Sequence, residues 1–216
     1  MKRGLSELFE YDDIEWSNKR MKLDDKKNSS SCSSTKVECI GDTIYFCAPV
    51  NKTSVLELSK IIKKKNDDLE RIKRRDELID EIVPKPLFLR ITSYGGGLIS
   101  ARSAIDAIMS SKIPIHTIVD GCAASAATLM SIVGKKRYIT KSSLMLVHQL
   151  SSIHAGKMHE LEDDMKNSML FMQHIRNLYK KYTKIPKKKL NKILKHDLWW
   201  DADLCLDYGL VDEIIE

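Results

Sequence analysis

Two periods of apolar residues alternate along this chain. Thr43–Cys47 is a short run rich in β-branched and aromatic residues and predicts a strand. From Ser54, a serine suited to N-capping, the residues Val55, Leu58, Ile61, Ile62, Leu69, Ile72, Ile79 and Ile82 recur at three- and four-residue spacings, which predicts a long helix ending at Pro84. Residues 87–92 read as an apolar strand, 98–111 as a helix with Ala101, Ala104, Ile105 and Ile108 on one side, and 113–119 as another strand. A small-residue helix is expected over 125–133 and short strands over 137–140 and 144–148. A long amphipathic helix follows over 157–182, and a short basic one over 187–195. Strands alternating with crossover helices imply an α/β fold, with mostly parallel sheets covered on both faces.

The first 36 residues break this pattern. They mix charge clusters with the polar tract 28–35, a composition that cannot bury enough apolar surface to offset ordering entropy, so a flexible N-terminal extension is expected before a domain over 37–216. Within it, residues 19–24 (Lys-Arg-Met-Lys-Leu-Asp) resemble a short nuclear-import signal and equally read as solvated charge.

Composition narrows the class. The 216 residues are 43% hydrophobic and 31% charged, and no apolar run nears the roughly 20 residues that span a bilayer, so no membrane partner is expected. Cys32, Cys39, Cys47, Cys122 and Cys205 form no C-x-x-C pair, and the N-terminus turns acidic before any apolar signal core develops; both suit the cytoplasm or another reducing intracellular compartment. The net charge of +6 raises the question of nucleic acid, but the basic residues of 60–75 lack interleaved aromatics for base stacking and read as a solvated helix face. Residues 174–196 hold nine Lys and Arg and no acid, while 197–216 hold seven acids and no base, a polarity suited to contacts within or between subunits.

Two glycine-rich segments fall where a strand hands over to a helix: Gly95-Gly96-Gly97, and 121–127, which contains Ser125 among alanines. Neither has the spacing of a phosphate-binding loop, so no nucleotide cofactor is expected. Glycines at such a turn can aim backbone N–H groups at a developing oxyanion, and a serine on a tight strand-to-helix turn offers an approachable nucleophile. His148 ends an apolar strand where loops converge in an open α/β sheet, and by spacing Asp197, Asp201 and Asp203 compete as its carboxylate partner. A Ser-Lys dyad with Lys135 or Lys136 is disfavoured, since ten residues of helix span ~15 Å.

The order Gly-Gly, Gly121-Cys122-Ala123-Ala124-Ser125, Met145-Leu146-Val147-His148-Gln149 and Tyr208-Gly209-Leu210-Val211-Asp212 resembles the ClpP peptidase family, the proteolytic subunits of Clp proteases. The resemblance implies a ClpP/crotonase-like fold. It implies a catalytic Ser125, His148 and Asp197, the aspartate eleven residues before Tyr208, with oxyanion-hole N–H groups on Gly96 and Ala126. It further implies an ATP-dependent serine endopeptidase acting on proteins and peptides inside a homo-oligomeric chamber of stacked heptameric rings, joined through a handle helix at 157–182. ATP would be used by a partner AAA+ unfoldase, because this chain has no Walker motif, and no metal or other cofactor is implied. Tyr94 and Leu150 stand where most relatives have proline, and 63–83 is similar to a charged insertion. A crotonase-type acyl-CoA enzyme and a non-catalytic ring subunit are the alternatives; all three triad residues at family spacing disfavour both.

Overall fold

The computed structural model describes residues 36–75 and 83–216. The import-like residues 19–24 and positions 76–82 of the charged segment lie outside the described residues, and the last residue assigned to the extension, Lys36, opens the first strand. That strand, β1 (Lys36–Ile40), which periodicity did not reveal, forms an antiparallel hairpin with β2 (Thr43–Cys47).

Helix α1 (Lys52–Arg75) starts three residues earlier than expected. Asn51 caps it: its Oδ1 accepts the Ser54 N–H at 2.9 Å, and Ser54 Oγ in turn accepts the Asn51 N–H at 3.1 Å. Ser54 is therefore the third helical residue of a reciprocal cap, buried by that role, rather than the cap itself. Residues 63–75 of the charged segment continue the same helix, pinned by Lys63–Asp67 and Glu70–Lys112 ion pairs.

The remaining elements are β3 (Leu87–Ser93), α2 (Leu98–Met109), β4 (Ile115–Ala124), α3 (Ala126–Ser131), β5 (Arg137–Thr140), β6 (Leu144–Leu146), α4 (Met158–Tyr182), α5 (Lys187–Ile193), β7 (Trp199–Trp200), α6 (Ala202–Asp207) and β8 (Glu213–Ile215). The sheet order is β1-β2-β3-β4-β5-β8, all parallel from β2 onward; β6 joins the far end of β4, with β7 antiparallel beside it.

This order corrects the expected coverage of both faces. When successive parallel strands are laid down in one direction, right-handed crossovers place every helix on the same face. Burial agrees: Leu87, Leu89, Ile91 and Ser93 of β3 are buried, while the alternate residues Phe88, Arg90 and Thr92 stay half exposed. Across that reverse face Phe88 meets the ring of His116, which meets Tyr138.

β4 also runs five residues beyond the expected strand. Its first half pairs β5 through Thr117–Val119, and its second half pairs β6 through Cys122–Ala124. Between these halves the register against β3 shifts from Ile91↔Val119 to Ser93↔Ala123, so two extra residues are taken up around Gly121, which adopts φ 78°. The irregularity lets one strand serve two neighbours and delivers Ser125 at its tip.

Candidate active site

Ser125 is the residue between β4 and α3, with φ 53° and ψ −122°, the one non-glycine at positive φ among the described residues. A side chain held there is strained and survives only where its surroundings over-determine it. They do: Ala123, Ala124, Ala126 and Ala127 are each at most 4% exposed, the Ser125 N–H donates to the Leu146 carbonyl at 2.9 Å, and its own carbonyl accepts from both the N–H and the hydroxyl of Thr128. Thr128 is in turn hydrogen-bonded to the fully buried Tyr179 hydroxyl of α4, whose ionisation is pushed far up by burial. Ser125 itself stays half-buried among these buried alanines.

The glycine turn packs against it without room for a side chain. A Cβ on Gly95, at φ 93°, would lie 2.6 Å from the Ala124 carbonyl oxygen and 2.8 Å from Ser125 Cβ. A Cβ on Gly96 would lie 2.3 Å from the Val50 carbonyl oxygen. Val50 bridges this turn by donating to the Gly95 carbonyl and accepting from the Gly97 N–H, so the Gly96 N–H is turned to the opposite side. The Ala126 N–H begins α3 and is one of the donors that a helix leaves unpaired at its start. Ser125's own N–H, spent on Leu146, is not available for such a role.

His148 lies two residues past β6, not within the strand as periodicity suggested. Its Nδ1 is hydrogen-bonded to Asp197 Oδ1 at 2.9 Å, whereas its Nε2 is buried without a hydrogen-bond partner among the described residues. Asp197 is brought there by β7: Trp199 pairs with Leu146 and Trp200 with Met145, while the Gln149 N–H donates to the Leu194 carbonyl at the end of α5. The rival carboxylates belong to the next helix. Asp201 caps α6 by accepting the Leu204 N–H at 2.9 Å, and Asp203 lies in that helix's first turn. Lys136 pairs with Glu213 at 2.9 Å.

Ser125, His148, Gly96 and Ala126 all line one cavity of about 390 Å³, with Leu129, Ile175 and Tyr179 forming part of its apolar wall. One lining residue, Trp199, escaped sequence reasoning, and the Trp-Trp dipeptide just after Asp197 was the available signal; its ring partner Tyr94 stands where most relatives have proline. Among the described residues no cluster of three or more His, Cys, Asp or Glu side chains could hold a metal, and no helix is long and apolar enough to cross a membrane.

Known proteins resemble this chain over most of its length. The chain is 27% identical over 179 residues to the ATP-dependent Clp protease proteolytic subunit 2 of Treponema pallidum, covering 82% of this chain and 88% of that protein. It is 28% identical over 142 residues to the ATP-dependent Clp protease proteolytic subunit of Deinococcus radiodurans, covering 64% and 70%. To subunit 1 of Protochlamydia amoebophila it is 29% identical over 135 residues, covering 61% and 66%. A model of the Clp protease family matches residues 77–216, well over half of the chain, and the chain therefore belongs to the Clp protease family as a divergent ClpP.

Proposed function

We propose that this ClpP-type protease is a serine endopeptidase in which Ser125, His148 and Asp197 act as a triad. The observation that carries the reading is the state of His148. One ring nitrogen is held by a carboxylate and the other is unpaired, in a residue that lines the same cavity as Ser125. In that state Nε2 removes the Ser125 proton as Oγ attacks a peptide carbonyl. Asp197 holds the tautomer and stabilises the imidazolium. The Gly96 and Ala126 N–H groups receive the oxyanion, and His148 then passes the proton to the departing amine. Water, activated by the same histidine, hydrolyses the acyl-enzyme and regenerates the serine.

The chain assembles, in this reading, as a homo-oligomer of heptameric rings stacked in pairs, which hides the active sites from folded proteins. Support comes from α4, where only Ile175 and Tyr179 are buried. Met158, Met165, Met169 and Leu170 are exposed, and residues 151–156 ahead of the helix pair with no strand among the described residues. Such a helix protrudes and offers apolar surface to a second subunit. A partner ATPase would unfold and deliver protein substrates, with ATP consumed there.

A fluorophosphonate probe tests the chemistry: wild-type protein should gain one adduct by intact mass, mapped to the peptide containing Ser125, and Ser125→Ala should gain none. A wild-type ring that takes up no label would refute the triad. Native mass spectrometry tests assembly independently, and a monomer at micromolar concentration would refute the chamber.

A further inference from the structure

At the mouth of the cavity two large side chains meet in water. Tyr94, two residues before Gly96, is 70% exposed, and Trp199, two residues after Asp197, is 42% exposed. Their rings stand edge to face with centroids 6.3 Å apart and planes at 88°. Both line the same cavity as Ser125 and His148. An aromatic pair in contact yet so exposed, at the rim of an apolar cavity, has unfilled packing capacity.

Its position selects which part of a bound peptide it would touch. The Gly96 and Ala126 N–H groups define where the scissile carbonyl oxygen must lie, and Ser125 Oγ defines the side of attack. The departing nitrogen must come within hydrogen-bond reach of His148 Nε2. Trp199 is the cross-strand partner of Leu146, two residues before His148, so it stands on the His148 side of the cleft. Leu98, Leu129 and Ile175 wall the cavity from α2, α3 and α4 and remain for the acyl side.

Resting on the serine endopeptidase reading above, we propose that Tyr94 and Trp199 form a specificity wall for the amine side of the cleaved bond, selecting an aromatic or large aliphatic residue immediately after it. Tyr94 supplies the part reached from the glycine turn, and Trp199 the part next to the histidine. Together they give an extended, rigid apolar edge on which a substrate ring stacks or packs edgewise. Neither side chain takes part in proton transfer.

The test is to digest a mixed library of short unfolded peptides, which need no unfoldase, and to read the residues flanking every cut by mass spectrometry. Wild-type protein should enrich large apolar residues after the cut. Trp199→Ala should lower that enrichment about fivefold, Trp199→Phe should keep most of it, and Tyr94→Pro should lower it by a smaller factor. The preference before the cut should stay the same in all variants. Unchanged enrichment in Trp199→Ala, no amine-side preference in wild type, or a change confined to the acyl side would each overturn the proposal. Fluorophosphonate labelling at Ser125 separates the underlying reading: wild type without label or cleavage sinks the peptidase itself, whereas Trp199→Ala that fails to label shows Trp199 positioning the triad rather than selecting substrate.

Discussion

The two halves of the site are built to different standards. The serine half lies at the tip of a central strand paired with β3, β5 and β6, on alanines at most 4% exposed, with the serine backbone held at both ends by hydrogen bonds. The acid–base half hangs from β7, a two-residue strand paired only with β6, and the Asp197 side chain is 79% exposed although the His148 it holds is 21% exposed. In the first half the site is inseparable from the core; in the second it is an edge feature fixed by a few contacts. Changes to the scaffold should accordingly cost stability and activity together in the first half and leave them separable in the second.

The largest expected effect lies at the nucleophile. Ser125→Ala should lower kcat for a fluorogenic peptide by at least about a thousandfold, since removal of a triad serine leaves only binding and oxyanion stabilisation. Its melting temperature should change little, because the hydroxyl itself bears none of the backbone bonds that fix residue 125.

Next comes the exposed half. Asp197→Asn should lower kcat by about 100- to 10,000-fold through the wrong imidazole tautomer, while the melting temperature stays within the error of a thermal scan. A large fall in stability would show that β7 depends on this contact and would break the comparison.

Gly95→Ala sharpens it from the buried side. The added methyl at positive φ must displace backbone at Ala124 and the Ser125 side chain, so thermal unfolding should show a loss of about 2 kcal/mol or more together with lost probe labelling. Lost labelling with full stability would mean that the two properties are separable in this half as well.

The smallest effect concerns the frame that joins them. Arg137 donates to Asp212 at the entrance of β8 and to the carbonyls of Tyr182, at the end of α4, and Gly209. The hydrogen bond and charge of Arg137 hold the Asp212 carboxyl below its ordinary value. A carboxyl depressed in the folded state contributes stability above its unfolded value of about 4 and loses it as pH falls through the folded value. Melting temperature measured from pH 6 to pH 3 should therefore fall less steeply in Asp212→Asn than in wild type, a modest difference because Asp212 is partly exposed.

Much of this was legible as periodicity and motif. The strand at 137–140 and the helices led by Leu98 and Met158 follow from apolar spacing, which requires only a local pattern and one buried face. The expected positions of Ser125, His148 and Gly96 around one cleft came from glycine and alanine placement around strand ends together with family spacing. What failed was mostly pairwise. β1 lacks a strong alternation because both its ends are exposed, and β7 is two residues long, so neither announces itself without the neighbour that defines it. Coverage of both sheet faces was misjudged because alternation of strands and helices does not reveal strand order, and strand order decides on which face each crossover lands. The bases that meet Glu213 and Asp212 of the acidic C-terminal block are Lys136 and Arg137, outside the basic block 174–196, because strand pairing of β5 with β8 and not nearness in sequence sets them side by side.

By itself the sequence determined the longer strands and helices, the family resemblance, and which residue types stand at the turns, since helix and strand periods and glycine's freedom are local properties. Only the tertiary structure brings Asp197 to His148, lets β4 serve two neighbouring strands and sets Trp199 against Tyr94. These depend on distances between segments 20 to 105 residues apart in the chain, and such closeness is set by how the whole sheet closes rather than by any local preference.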